Sequence, residues 1–206
     1  LKGPAYQWLK AICRKHDVFI ATCVLERSGS DFFDTLILVG PGEGDFWSHR
    51  KIEPASYEAF YFRGAGVNPC VFATPLGRIG VAICFDSSKT HTLRALIDGG
   101  AQIVLALYSC PALPGFVPRI VRDNWDSSYR MTADIYQRVL LAPVVSCNKT
   151  GVVETPLPLV PLYRARMEFL SGSSILNYDG TLIGTLETGS GVLTGEVRLG
   201  DCRCME

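Results

Sequence analysis

The stretch Gly77-Arg78-Ile79-Gly80-Val81-Ala82-Ile83-Cys84-Phe85-Asp86 decides how the rest of the chain is read. Ile79 to Phe85 is a short apolar, β-branched run bounded by glycine, which predicts a buried strand rather than a helix. Asp86, Ser87 and Ser88 follow, residue types that favour turns and helix N-caps, and Thr90 to Ile97 then carries apolar positions at helical spacing. Cys84 is thereby placed in a tight strand-to-helix elbow. Such an elbow lifts its side chain clear of the sheet and points the next backbone N–H, that of Phe85, at whatever the sulfur attacks. It also sets a helix N-terminus close enough to favour the thiolate. Most single cysteines are inert core residues. Position, not residue type, marks this one as a candidate nucleophile.

Working outward, Val71 to Thr74 pairs with Ile79 to Cys84 through a Pro75-Leu76-Gly77 turn, so the elbow ends a hairpin. Downstream, Gly99-Gly100 stops the helix, Ile103 to Tyr108 is a strongly apolar strand, and the proline-bearing loop from Ser109 to Pro118 suits a pocket wall. Trp125 to Arg138 is an amphipathic helix, with Trp125 and Tyr129 as core or pocket-wall residues, and Val139 to Cys147 is a strand ending at Asn148. Thr150 to Arg166, with prolines at 156, 158 and 161, predicts an irregular surface excursion. Ser173 to Asn177, Leu182 to Glu187 and Val192 to Leu199 are the last strands.

Upstream of the elbow, Leu1 to His16 places Tyr6, Trp8, Leu9, Ile12 and Cys13 on one helical face. Val18 to Leu25 and Phe32 to Val39 form a hairpin, and Phe46 to Ile52 is a short strand ending in the basic pair Arg50-Lys51. Glu53 to Gly66 is a loop or short helix that carries Glu58. Strands alternating with helices early and hairpins late predict a mixed-sheet α/β sandwich. A chain of this class that opens on a helix, with no strand before it, implies further sequence upstream.

The 206 residues are 48% hydrophobic and carry 20 basic and 20 acidic side chains, which suits a single domain over residues 1–206 with a sizeable core. Zero formal charge gives no electrostatic reason to expect nucleic acid or an anionic membrane as partner. No apolar run reaches transmembrane length. Eight cysteines (13, 23, 70, 84, 110, 147, 202 and 204) fall mostly in strand-like segments, as reduced thiols of a cytoplasmic protein would. Cys202 and Cys204 lack CxxC spacing, and His16, His49 and His91 are far apart, so no metal is expected.

Acyl transfer at a thiolate needs a base, and a cation or N–H donors for the oxyanion. Lys51 lies at a strand end, as Cys84 does, where α/β sheets present catalytic groups together. Taken alone, Lys51 is a solvated lysine and Glu58 a solvated loop acid.

Four blocks, in order, resemble the nitrilase superfamily of carbon–nitrogen hydrolases. His49-Arg50-Lys51-Ile52 with Glu58 and Gly64 is similar to its lysine block, Gly77 to Asp86 to its nucleophile block, Asn148-Lys149-Thr150-Gly151 to its asparagine turn, and Gly172-Ser173-Ser174-Ile175 through Asp179-Gly180 to its late strand-turn block. The resemblance implies an α-β-β-α sandwich with mixed sheets, incomplete at both ends, that cleaves an amide or nitrile C–N bond of a small molecule through a cysteine thioester. It further implies Cys84 as nucleophile, Lys51 and the Phe85 N–H as oxyanion holders, and Glu58 as the glutamate beside the lysine. Asp86, Cys110 and Asn148 become pocket candidates, and a homodimer or higher homo-oligomer is expected. The family's general-base glutamate belongs on a strand ahead of Leu1; Glu26, at the end of a later strand, is not promoted to that role. Asp34 stands where the family usually has asparagine, Asp86-Ser87-Ser88 lacks the usual arginine or proline, and Tyr136-Gln137-Arg138 replaces a Glu-Asn pair. Same-fold N-acyl transfer to an amine and a non-catalytic binding or assembly module are the alternatives.

Overall fold

A computed structural model describes residues 3–157 and 160–201; Cys202, Cys204 and the side chain of Tyr129 lie outside the described residues. Helix α1 (Pro4–His16) is followed by the antiparallel strands β1 (Ile20–Ser28), β2 (Asp31–Val39) and β3 (Phe46–Arg50), which form one sheet. A second, six-stranded sheet has the order β11-β10-β7-β6-β5-β4. Its strands are β4 (Val71–Thr74), β5 (Gly77–Ile83), β6 (Ile103–Tyr108), β7 (Val144–Asn148), β10 (Ser173–Leu176) and β11 (Leu182–Leu186). β5, β6 and β7 run parallel and the remaining pairs antiparallel, so this sheet is mixed. Helices α2 (Thr90–Asp98) and α3 (Arg119–Leu140) complete the sequence of elements, with β8 (Gly151–Leu157) and β9 (Val160–Phe169) as a separate hairpin.

The layering follows from period-two alternation along β2. Ile37 and Val39 point outward and are buried with Tyr6, Leu9 and Cys13 of α1. Leu36 and Leu38 point inward and join Val81, Ile83, Val104 and Val144 of the second sheet. Leu96 of α2 and Ala133 and Tyr136 of α3 belong to that same core, which gives the order helix, sheet, sheet, helix expected of an α-β-β-α sandwich. Gly80 sets how tightly the last layer sits. A Cβ built there would lie 2.6 Å from Leu96 Cδ2 and 2.9 Å from Ala101 Cβ, so α2 lies directly on the strand that leads to Cys84.

Three segments differ from expectation. Thr150 to Arg166 falls largely within the β8–β9 hairpin, an ordered pair rather than an irregular excursion. Proline is compatible with it because a two-stranded ribbon consists of edge strands, on which a missing N–H can face away from the ladder. Val139 belongs to α3, and the following strand starts only at Val144, after Leu141 takes a left-handed C-cap and Pro143 intervenes. Val192 to Leu199 contributes no strand; Arg198 N–H donates to Asn177 Oδ1, and Gly200 N–H to the Gln102 carbonyl. Among the described residues no helix is long and apolar enough to cross a membrane.

Candidate active site

Cys84 directly follows β5 and opens a five-residue 3-10 helix, Cys84–Ser88, at a positive φ of 46°. Few non-glycine residues adopt that conformation, and holding a cysteine in it is the elbow that the sequence implied. Hydroxyls stabilise the turn: Ser87 Oγ donates to the Cys84 carbonyl at 2.6 Å and Ser88 Oγ to the Phe85 carbonyl at 2.8 Å. Tyr136 of α3 donates its hydroxyl to the Ser87 carbonyl at 2.7 Å, which ties the long helix to the elbow.

Lys51 reaches the site from the other sheet. The β2–β3 ladder continues one residue past Arg50, because Lys51 N–H donates to the Asp34 carbonyl at 2.8 Å. Alternation therefore puts Lys51 on the inner face, across from Asp34, while Arg50 faces out. The Lys51 side chain is 2% exposed; its Nζ lies 2.5 Å from Glu58 Oε2 and 3.7 Å from Asp34 Oδ2. Glu58 sits in a 3-10 turn, Ser56–Phe60, and also accepts from the Ala55 N–H at 2.8 Å.

Asp86 joins the two sheets at this corner. Its fully buried carboxylate accepts from the backbone N–H groups of Ile52 at 2.7 Å and Glu53 at 3.0 Å. The residues just past Lys51 are thereby clamped to the residues just past Cys84.

A cavity of about 280 Å³ opens over Cys84. Glu58 and Phe85 line it, together with Tyr108, Ser109, Cys110, Pro111 and, from α3, Trp125, Ser128 and Thr132. Cys110 is one of the wall residues. Asp86 and Asn148 are not: both are buried behind the wall, Asp86 as the clamp just described and Asn148 accepting the Cys110 N–H on its Oδ1 at 3.2 Å. The short side chains and many acceptors of these residues suit them to holding backbone, and that is what they do. Within the loop from Ser109 to Pro118 the wall is formed by the first three residues, and no described side chain of the β8–β9 hairpin lines it. The α3 contribution was legible only in part: 125, 128 and 132 share a helical face at i, i+3, i+7, but nothing local says that this face meets the elbow.

Electrostatics divide the corner from the cysteine. Burial would pull the Lys51 ammonium down, yet Glu58, Cys84 and Asp34 together hold it above the usual lysine value. Burial pushes the Cys84 thiol up, against the pull of Lys51 and of backbone hydrogen bonds from Ser109 and Phe85. The expected thiolate-favouring helix end is therefore outweighed: α2 begins only at Thr90, beyond the 3-10 turn, and desolvation dominates. Burial also raises Asp34 despite Lys51. Burial, and after it the neighbouring Asp34 carboxylate, raises the Cys23 thiol. The Cys110 thiol is pushed up by burial to about 12. Among the described residues no group of three or more His, Cys, Asp or Glu side chains converges as metal ligands would. Chemically, the arrangement offers a sulfur nucleophile, an ammonium interacting with it, a carboxylate on that ammonium, and a mostly carbon-walled space.

The carbon-nitrogen hydrolase family model matches residues 1–205. The chain is similar to a bifunctional nitrilase/nitrile hydratase of Lupinus angustifolius, 26% identical over 182 residues that cover 88% of this chain and 48% of the relative. It is likewise similar to nitrilase 1 of Arabidopsis thaliana, 26% identical over 206 residues, 97% of this chain and 57% of that protein. It thus spans about half the length of these curated relatives. Its backbone superposes on that of a CN-hydrolase superfamily protein from Xanthomonas campestris with a TM-score of 0.73 over 95% of this chain and 68% of that one. At 15% identity this likeness establishes the fold alone.

Proposed function

The chain belongs to the carbon–nitrogen hydrolase family, and on that premise we propose that it is a domain cleaving the C–N bond of a small amide or nitrile through a cysteine thioester. The observation that carries the reading is that Cys84, at a positive-φ elbow, shares one cavity with Glu58, the carboxylate that holds the buried Lys51. For an amide, the Cys84 sulfur attacks the carbonyl carbon as thiolate, and the carbonyl π pair moves to oxygen. The oxyanion is stabilised by the Lys51 ammonium and the Phe85 N–H. Collapse expels the nitrogen, which takes the proton given up by the Cys84 thiol and leaves as ammonia or an amine, and the acyl group stays on sulfur. Water then attacks the thioester, gives up a proton and releases the carboxylic acid and the free thiol. Glu58 keeps Lys51 charged throughout and is the carboxylate that lines the cavity among the described residues.

Small-molecule amides or nitriles are the substrates of this reading. Its test is ammonia release from a panel of simple amides and nitriles, with mass spectrometry of the quenched protein. Acyl adducts on Cys84 that hydroxylamine removes, absent from Cys84→Ser, are expected. Turnover that persists in Cys84→Ser overturns the proposal.

A further inference from the structure

The cavity wall is rich in hydroxyl residues in sequence yet presents mainly carbon. Ser87 and Ser88 donate to the Cys84 and Phe85 carbonyls, Ser128 Oγ to the Trp125 carbonyl at 2.7 Å, and Thr132 Oγ1 to the Ser128 carbonyl at 3.1 Å. Four lining hydroxyls are thus turned onto their own backbone. Between them stand the rings of Phe85, Tyr108 and Trp125 with Pro111. Trp125 is held in place: its indole N–H donates to the Pro111 carbonyl at 2.7 Å, so helix and loop fix one ring as a wall.

Charge is distributed just as unevenly. No basic side chain lines the cavity among the described residues. Lys51 is shared between two carboxylates, Glu58 and Asp34. Lys89, whose Nζ lies 4.0 Å over the Phe85 ring, is engaged by Glu53 at 2.8 Å. A substrate carboxylate entering here would be desolvated without a free counter-ion, which is costly. An uncharged ring or short hydrocarbon would instead exchange water for aromatic and aliphatic wall.

Building on the proposed amide or nitrile cleavage, we infer that the acyl side of the substrate is uncharged and apolar, a single aromatic ring or a short hydrocarbon. Trp125 serves as the specificity wall, and acyl groups bearing a carboxylate are rejected. The size agrees, since about 280 Å³ is at the small end of ligand cavities.

Two measurements test this, one of which needs no turnover. Cys84 is alkylated with two reagents sharing an iodoacetyl group, neutral N-phenyl iodoacetamide and anionic iodoacetate. Each rate is read by mass spectrometry against the exposed Cys147 of the same protein. The neutral aryl reagent is expected to be favoured at Cys84 over Cys147 by about tenfold or more, the discrimination a hydrophobic pocket gives. That preference falls toward the Cys147 value in Trp125→Ala and is partly restored in Trp125→Phe. Equal or reversed preference at Cys84 overturns the inference. The second measurement compares kcat/KM for benzamide and valeramide with that for glutaramic acid; the neutral amides are expected to lead by about 10²-fold, since the charged acyl group is buried unpaired. Turnover that favours glutaramic acid overturns the inference and leaves a hydrolase. Labelling preference without turnover of any amide or nitrile supports an uncharged, apolar occupant of this cavity and removes the activity reading.

Discussion

Arg50 and Lys51 are adjacent in sequence and lie on opposite faces of one three-stranded sheet, each with its own glutamate. On the outer face, Glu26 accepts from Arg50 Nε at 2.9 Å and Nη2 at 2.5 Å and from Thr35 Oγ1 at 2.7 Å. Arg50 also covers the Phe33 ring at 4.0 Å and remains partly in solvent. On the inner face, Lys51 is removed from solvent and meets Glu58 and Asp34 near the Cys84 elbow. The outer pair has a forked donor and a carboxylate with most of its bonds made, and the pocket of about 190 Å³ that Glu26 lines has no cysteine, serine or threonine among its described lining residues; it is a brace. The inner pair keeps a cation buried behind the carboxylate that lines the cavity over Cys84, an arrangement that costs stability and suits a site where negative charge develops. What separates the two is one residue of strand register.

The largest expected difference is in activity. If the inner face is the chemical one, Lys51→Ala lowers kcat/KM for the best amide of the panel by about 10³-fold or more, as loss of an oxyanion holder does, whereas Arg50→Ala stays within about threefold. Comparable losses in both variants would erase the distinction. Next, Glu58→Gln keeps the shape but removes the charge that holds Lys51 protonated, and a loss of about 10²-fold is expected in steady-state rates.

The outer pair should show itself in stability. Glu26→Gln is expected to cost about 1–3 kcal/mol in denaturant unfolding at neutral pH, with little change in kcat/KM. The Arg50 hydrogen bond holds Glu26 below the usual glutamate value of 4.5, so its contribution is complete above that pH. It is lost as pH falls through the lower native value, and the gap between wild type and variant should close in acid. Asp34 behaves in the opposite sense. Burial raises its native value, so keeping it ionised costs stability at neutral pH, and the cost fades on acidification. Asp34→Asn should therefore be the smallest change, a slight gain in melting temperature at neutral pH that shrinks in acid; a loss would mean that its bond to Lys51 outweighs its burial.

The same contrast explains what could be read from the sequence. The elbow was legible because a bounded apolar run followed by Asp86-Ser87-Ser88 is a local signal, and Lys51 was found through the order of four short blocks. That Glu26 and Arg50 form a brace follows from alternation once the register of β2 and β3 is fixed, and only pairing fixes it. Asp86 was a pocket candidate through the resemblance of its block; its clamp on Ile52 and Glu53 spans more than thirty residues and leaves no local trace. Trp125 was open between core and wall until the Pro111 carbonyl settled its ring. The β8–β9 hairpin was misread because proline was counted as a breaker without regard to edges.

The measurement that bears most directly on the inner-face account is the pH dependence of Cys84 alkylation by iodoacetamide in wild type, Lys51→Met and Arg50→Met, resolved by mass spectrometry. Burial lifts the thiol above its ordinary value while Lys51 pulls it down. The wild-type rate should keep climbing through the alkaline range, and in Lys51→Met the curve should shift to higher pH with a rate about tenfold lower or more at a given pH, as expected when an opposite charge is removed. Arg50→Met should overlay wild type. Superimposable curves for Lys51→Met and wild type would contradict the account.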